Sequence, residues 1–293
     1  MMESQTIGAL LGWARGTLKD AGIDNAEQES QWLITHALGM KSHQLVARRE
    51  QSVAEELWAR ATSLVTRRSA REPLQYILGT QEFCGLEFCV TPAVLIPRPE
   101  TELLVQEVLR IVDLNHEDVV VDVGTGSGCV AVTLATILAK ARILAVDRLP
   151  DALAVAQANA KRHGVLHRIE WMEGDLLAPL EERGLKGKVD IIVSNPPYLS
   201  EAEWEQLPPE VRQFEPRSAL VAGPTGTEYH ERLLRDSLSY LTPSGTLVVE
   251  IGCGQLPTVC RLIEASGGYG PVRVVKDETG IDRTVVVQRL ETK

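Results

Sequence analysis

The chain has 293 residues, 44% of them hydrophobic and 24% charged, with a formal net charge of −10. That length suits one large domain plus a small one, and the composition is that of a globular chain rather than a disordered or fibrous one. No stretch approaches the ~18 apolar residues of a membrane span. The opening Met1–Thr6 lacks the basic and apolar regions of a secretory signal. Five cysteines without a C-x-x-C pair, and six scattered histidines, favour reduced, buried or semi-buried thiols over disulfides or a metal site. The expectation is a cytoplasmic, monomeric protein without metal. Residues 1–80 hold nine Lys/Arg and nine Asp/Glu, so the remaining 21 basic and 31 acidic residues place the whole charge on 81–293. An acidic region is a poor general attractor for phosphate backbones, so stable nucleic-acid binding is not expected.

Residues 1–80 read as a small helical bundle. Ile7, Leu10, Leu11, Ala14 and Leu18 make one apolar stripe at helical spacing. A second helix runs from near Asn25 to Gly39 and buries Leu33, Ile34, Ala37 and Leu38. A third opens on the capping-box pattern Ser52-x-x-Glu55, with Val53, Leu57, Ala61, Leu64 and Val65 on one side. Trp13, Trp32 and Trp58 are expected in the core, and Arg48-Arg49 and Arg67-Arg68 at solvated helix ends.

Pro73 and Gly79 break the helical pattern. Residues 82–90 then suggest two short strands turning near Gly85, within a hinge or linker spanning 81–97. Pro99 suits the first turn of a helix, with Glu100 and Glu102 placed favourably for its dipole. Leu103, Leu104, Val108, Ile111 and Val112 continue it.

From Val119 strands and helices alternate, which predicts a parallel sheet covered on both faces. Strand Val119–Val123 runs into Gly124-Thr125-Gly126-Ser127-Gly128, and a helix follows from Cys129. Glycines here let the backbone turn sharply and approach a ligand, while the helix start supplies free N–H groups. The next strand, from Arg142, ends at Asp147, the placement for a carboxylate that accepts ribose hydroxyls. A third strand, Ile169–Glu173, leads into Gly174-Asp175-Leu176. A fourth, Val189–Ser194, stops at Asn195-Pro196-Pro197-Tyr198. Those prolines forbid further pairing and leave a stiff, acceptor-rich loop at a strand end; plain turn chemistry is the bland alternative. Leu199–Arg217 is polar and proline-containing, a loop or short helices. A helix over 227–240, a strand over Gly245–Ile251 and strands near 272–275 and 284–287 complete the chain.

The turn is G-x-G-x-G, not the G-x-G-x-x-G of dinucleotide sites, and it resembles the Rossmann-like S-adenosyl-L-methionine-dependent methyltransferases. That resemblance implies an α/β domain over 98–293 with a seven-stranded, mostly parallel sheet. It also implies cofactor contacts at Gly124, Thr125, Gly126, Ser127, Gly128, Asp147, Asp175, Leu176 and Asn195. Asp175 resembles the acid that accepts the adenine amino group, with a loop cap as an equal alternative. The order of G-x-G-x-G, an acid and N-P-P-Y is similar to enzymes that methylate nitrogen conjugated to a π system. Three further strings, at 72–79, 94–102 and 277–283, resemble the HemK or PrmC family of protein-glutamine N5-methyltransferases over nearly the whole chain.

The family implies methylation of the Gly-Gly-Gln glutamine of class 1 peptide chain release factors, with residues 1–80 as a substrate-docking domain. In that chemistry Asn195 and the Pro196 carbonyl accept hydrogen bonds from the glutamine NH2. Pro197 stiffens the loop and Tyr198 packs on the flat amide. The alternatives are an amino-methyltransferase acting on a nucleic-acid base, and a cofactor-binding protein without catalysis.

Overall fold

The computed structural model describes residues 5–114 and 116–291. The chain forms two compact units, residues 1–79 with 208–214, and residues 80–207 with 215–293. The first holds α1 (Ile7–Asp20), α2 (Ala26–Leu38), α3 (Ser42–Ala47), α4 (Glu55–Ser69) and α5 (Leu74–Leu78), joined by the later helix Pro209–Phe214. Its core is the expected stripe of Ile7, Leu10, Ala14 and Leu18 packed with Leu33, Ile34, Ala37, Ala61, Leu64 and Val65.

Three expectations for this unit are corrected, and one for a thiol of the other. Helix α4 starts at Glu55 after Ala54, and Ser52 instead bridges Thr6, so the capping-box pattern does not open the helix. Trp13 and Trp32 are 39% and 41% exposed, and only Trp58 packs against the core. Both exposed rings lie off the buried stripe of their helices, because 100° per residue turns Trp13 away from Leu10 and Ala14, and Trp32 away from Ser30 and Leu33. Arg68 is no solvated helix end. It is buried, donates through Nε to Glu29 at 2.6 Å, and meets Glu210 of the helix Pro209–Phe214 at 3.3 Å. Glu210 also binds Arg71. Among the thiols Cys253 is exposed, against the buried or semi-buried expectation.

The second unit opens with the expected hairpin, β1 (Thr80–Phe83) and β2 (Leu86–Cys89), which turns at Cys84 and Gly85. Phe83, Phe88, Val90, Val94 and Ile96 are buried, so the segment 81–97 is packed into this unit. There follow α6 (Glu102–Ile111), β3 (Val119–Val123), α7 (Cys129–Ile137), β4 (Arg142–Asp147), α8 (Pro150–Arg162), β5 (Ile169–Glu173) and β6 (Val189–Ser194). After short elements come α9 (Glu228–Ser237), β7 (Leu241–Glu250), α10 (Leu256–Ser266), β8 (Arg273–Lys276) and β9 (Asp282–Gln288). The sheet order is β8-β9-β7-β6-β3-β4-β5. Strands β7, β6, β3, β4 and β5 are parallel, and β9 runs antiparallel between β8 and β7, as the family resemblance implies.

The continuous apolar runs of β3 and β6 have a direct cause. Val120, Ile191 and Val193 face a core shared with α6 and α7, whereas Val121, Val123 and Ile192 face one shared with α9 and α10. Burial on both faces leaves no position for a polar alternation. Among the described residues no helix is long and apolar enough to cross a membrane.

The buried pairing around Arg68 sets the first prediction. Arg68→Ala strands Glu29 with one partner fewer in a low-dielectric setting and is expected to lower stability by about 3 kcal/mol. Arg15→Ala breaks an exposed pair with Glu27 and is expected to cost under about 1 kcal/mol. Urea unfolding of the full chain separates the two; equal losses would contradict the role given to Arg68.

Candidate active site

Strand β3 lies between β4 and β6, the point where the chain's strand order reverses, and ligands bind beyond strand ends at such a point. Val123 pairs with Ser194, and Ser194 Oγ donates to the Val123 carbonyl at 2.8 Å. The Gly-rich turn and the Asn-Pro-Pro loop therefore leave the sheet side by side. A Cβ added at Gly124 would stand 3.9 Å from the Asn195 carbonyl oxygen.

The turn is held from beneath and from the side. The Val146 carbonyl accepts from the N–H groups of Gly124 and Thr125 at 2.9 and 3.0 Å. Gly128 has φ 80°, and a Cβ there would come within 3.0 Å of the Ala156 Cβ on α8, so only glycine fits. Asp122, fully buried within β3, accepts from the Thr125 hydroxyl at 2.6 Å and from the Ala131 N–H at 3.2 Å. Burial pushes its carboxyl up to about 7, against those two hydrogen bonds, and the charge of Asp147 adds to the rise.

Asp147 ends β4. Its Oδ2 accepts from the Gly126 N–H and its Oδ1 from the Leu149 N–H, both at 2.9 Å. These bonds fix the carboxylate, and each oxygen keeps a second lone pair for a ligand hydroxyl. Beyond β5, Asp175 is ion-paired with Arg232 of α9. Leu176 takes a left-handed φ of 51°, a strained backbone of the kind that gathers at binding sites.

Asn195 lies at the mouth of β6. Its Nδ2 donates to Thr101 Oγ1 at 2.9 Å, and the Thr101 hydroxyl donates to Glu250 Oε2 at 2.8 Å. Glu250 ends β7, is buried, and lies beside the Tyr198 hydroxyl. Burial raises the Glu250 carboxyl to about 7 in spite of the two hydroxyls. Burial, and then the charge of Glu250, hold the Tyr198 phenol well above its usual range. The buried imidazole of His230 donates from Nε2 to the Glu250 carbonyl at 2.8 Å, and desolvation keeps it neutral.

One cavity of about 130 Å³ collects these parts. Of the residues expected from sequence, Gly124, Thr125, Gly126, Ser127, Asp147, Asp175, Leu176, Asn195, Pro196 and Pro197 all line it. Gly128 does not line it and acts through helix packing. Tyr198 does not line it; a Cβ at Gly252 would stand 3.0 Å from its ring. Sequence reasoning did not single out Thr101, Asp122 or Glu250. A signal existed for the two acids: Asp122 interrupts an otherwise apolar buried strand, and Glu250 follows the apolar run Leu247–Val249. Among the described residues no group of three His, Cys, Asp or Glu could hold a metal.

Comparison with known proteins fits this geometry. Residues 9–79 match the model described as the PrmC N-terminal domain, and residues 99–207 match the methyltransferase small domain. Among solved structures, a methyltransferase from Pyrococcus furiosus aligns with TM-score 0.52 at 18% identity, covering 77% of this chain and all of that one. The hMettl16 catalytic domain, solved with an RNA hairpin, aligns with TM-score 0.56 at 16% identity, covering 82% of this chain and 83% of that one. These structural likenesses show the fold, and the family model over 99–207 places a methyltransferase small domain within it. The curated relatives go further. The release factor glutamine methyltransferase of Geobacter sulfurreducens is 45% identical over 97% of this chain and 96% of its own length. That of Moorella thermoacetica is 41% identical over 98% and 99%. The chain belongs to the release factor glutamine methyltransferase family.

Asp122 gives a pH-dependent prediction. Its native carboxyl binds a proton more tightly than the ordinary carboxylate of the unfolded chain, near pH ~4. Its contribution is therefore full below that value and is lost as pH rises through about 7. In the ligand-free protein, Asp122→Asn should remove part of the fall in stability across this window, as read by thermal melts at several pH values. Parallel wild-type and variant curves would contradict the assignment.

Proposed function

We propose that this chain transfers the methyl group of S-adenosyl-L-methionine to the side-chain amide nitrogen (N5) of the glutamine in the Gly-Gly-Gln motif of class 1 peptide chain release factors. The observation that carries the reading is the single cavity bounded by the Gly-rich turn and Asp147 on one side and by Asn195–Pro197 on the other. The cofactor fits the residues present. Asp147 offers spare lone pairs on a carboxylate already fixed by Gly126 and Leu149, the partner a ribose diol needs. The turn brings its backbone close without side chains in the way, and Leu149 and Leu176 give apolar walls for a purine. When bound, S-adenosyl-L-methionine supplies an electrophilic methyl carbon on a sulfonium.

The residues of the chain do the rest by placement. An amide nitrogen is a weak nucleophile because its lone pair is delocalised, so orientation and charge stabilisation dominate. The Asn195 side-chain oxygen and the Pro196 carbonyl accept the two N–H bonds of the glutamine amide. Positive charge that grows on that nitrogen is then held by two fixed acceptors. Pro197 denies the loop alternative conformations. The proton left after transfer passes to water. The helical unit, 1–79 with 208–214, binds the release factor in this reading, in line with its match to the PrmC N-terminal domain.

A nucleic-acid base also presents a planar NH2, and the hMettl16 catalytic domain was solved with RNA. The acidic balance of residues 81–293 favours the protein substrate. Labelled cofactor incubated with purified release factor or with bulk nucleic acid separates the readings: label on the release factor is expected, and label on nucleic acid alone would overturn the proposal. Within the first assay, Asn195→Ala should lower turnover on the order of 100-fold, as for loss of one transition-state hydrogen-bond partner. Its cofactor Kd should change by less than about threefold. Asp147→Ala should do the reverse, weakening cofactor binding by about tenfold or more through the lost charge-assisted bonds.

A further inference from the structure

An asparagine side chain can present either its oxygen or its NH2 to a site, and the two ends are nearly isosteric. The chemistry above needs the oxygen. In this structure the choice is made by Thr101, in the cavity wall, and by Glu250 behind it. Glu250 is buried at the end of β7, and in its ionised form, which prevails above about pH 7, its carboxylate can only accept. The Thr101 hydroxyl lies 2.8 Å from Glu250 Oε2 and so spends its one proton there. Thr101 Oγ1 is left with lone pairs alone toward Asn195, and it takes the Nδ2 of that residue at 2.9 Å. The opposite amide rotamer would set Oδ1 against Oγ1, oxygen against oxygen with no proton between them. Asn195 Oδ1 is thereby turned away from Thr101.

Three separate parts of the fold build this arrangement. Thr101 sits in the short 3-10 turn Pro99–Thr101, Asn195 follows β6, and Glu250 closes β7, which pairs with β6. Thr101 and Glu250 are 149 residues apart in the chain. The Glu250 carbonyl is held by His230.

We propose that Thr101 and Glu250 are positioning residues: together they set the Asn195 amide so that the site offers only acceptors and selects a substrate nitrogen bearing two protons. A carboxylate or an ether oxygen finds no donor among Asn195 Oδ1 and the Pro196 carbonyl, which suits a primary amide and rejects the corresponding acid. The proposal rests on the methyl-transfer reading of the same cavity and assigns to it one residue of the cavity wall, Thr101, and one behind it, Glu250.

The test compares Thr101→Val, Thr101→Ser and Asn195→Ala in the full chain, with purified release factor and S-adenosyl-L-methionine. The readouts are kcat, KM for the release factor, cofactor Kd and Tm. Thr101→Val keeps the shape and removes the hydroxyl, and kcat should fall on the order of 10- to 100-fold, the cost of a misaligned reacting group. KM and cofactor Kd should stay close to wild type, while Tm falls by a few degrees for the hydrogen bond lost to buried Glu250. Thr101→Ser restores the hydroxyl and should recover most of the lost turnover. A Thr101→Val enzyme that keeps wild-type kcat while Asn195→Ala loses it would overturn the relay and leave the methyl-transfer reading standing. Full activity in both would sink that reading as well. A loss in Thr101→Val that spreads equally over kcat, cofactor Kd and Tm, or that serine does not repair, would also overturn the relay. If the valine variant does not fold, Thr101→Ala is read by the same criteria.

Discussion

The parallel pairing of β3 with β6, with Val123 opposite Ser194, is the constraint on which the rest depends. Each strand is buried on both faces, so neither can slip by one residue without sending its valines and isoleucines to the wrong core. That locked register ends both strands at the same height. The residue after each end is then Gly124 on one strand and Asn195 on the other, and the Gly-rich turn and the Asn-Pro-Pro loop become neighbours. The Ser194 hydroxyl bond to the Val123 carbonyl fastens the junction.

Around that junction, buried carboxylates do related work at different depths. Asp122 organises the Gly-rich turn through Thr125 and Ala131, and Glu250 organises the Asn-Pro-Pro loop through Thr101 and Tyr198. Each is desolvated, which raises its carboxyl to about 7 and carries a stability penalty at higher pH. Each is also tied by hydrogen bonds that make the polar interior specific. Asp147 sits further out, with its oxygens fixed by two backbone N–H groups and lone pairs still to spare. The gradient from buried organiser to accessible ligand group runs outward along the strand ends.

Much of this was legible in the sequence because the motifs are contiguous and sit at strand ends. Gly124 to Gly128, Asp147 and Asn195 to Pro197 each announce themselves through local chemistry, and the alternation after Val119 orders them correctly. What escaped was long-range. Thr101 meets Glu250 across 149 residues, and Glu210 meets Arg68 across 142. Neither pairing has a local signature. Tyr198 follows the prolines directly, yet it is not among the residues that line the cavity. Trp13 and Trp32 were placed in the core by size alone, and the helical angle of their positions overrules size. Ser52 satisfies a capping pattern, yet its backbone pairs with Thr6 before the helix begins.

The account holds that donor and acceptor share one cavity and that the acceptor nitrogen is gripped by two oxygens of the Asn-Pro-Pro loop. The most direct measurement is a crystal structure of the chain with the demethylated cofactor product and a Gly-Gly-Gln peptide. The account predicts the glutamine side-chain nitrogen within hydrogen-bond distance of Asn195 Oδ1 and of the Pro196 carbonyl, with Asn195 Nδ2 still on Thr101. A glutamine seated outside the cavity, or an Asn195 amide turned to present Nδ2 to the peptide, would contradict it.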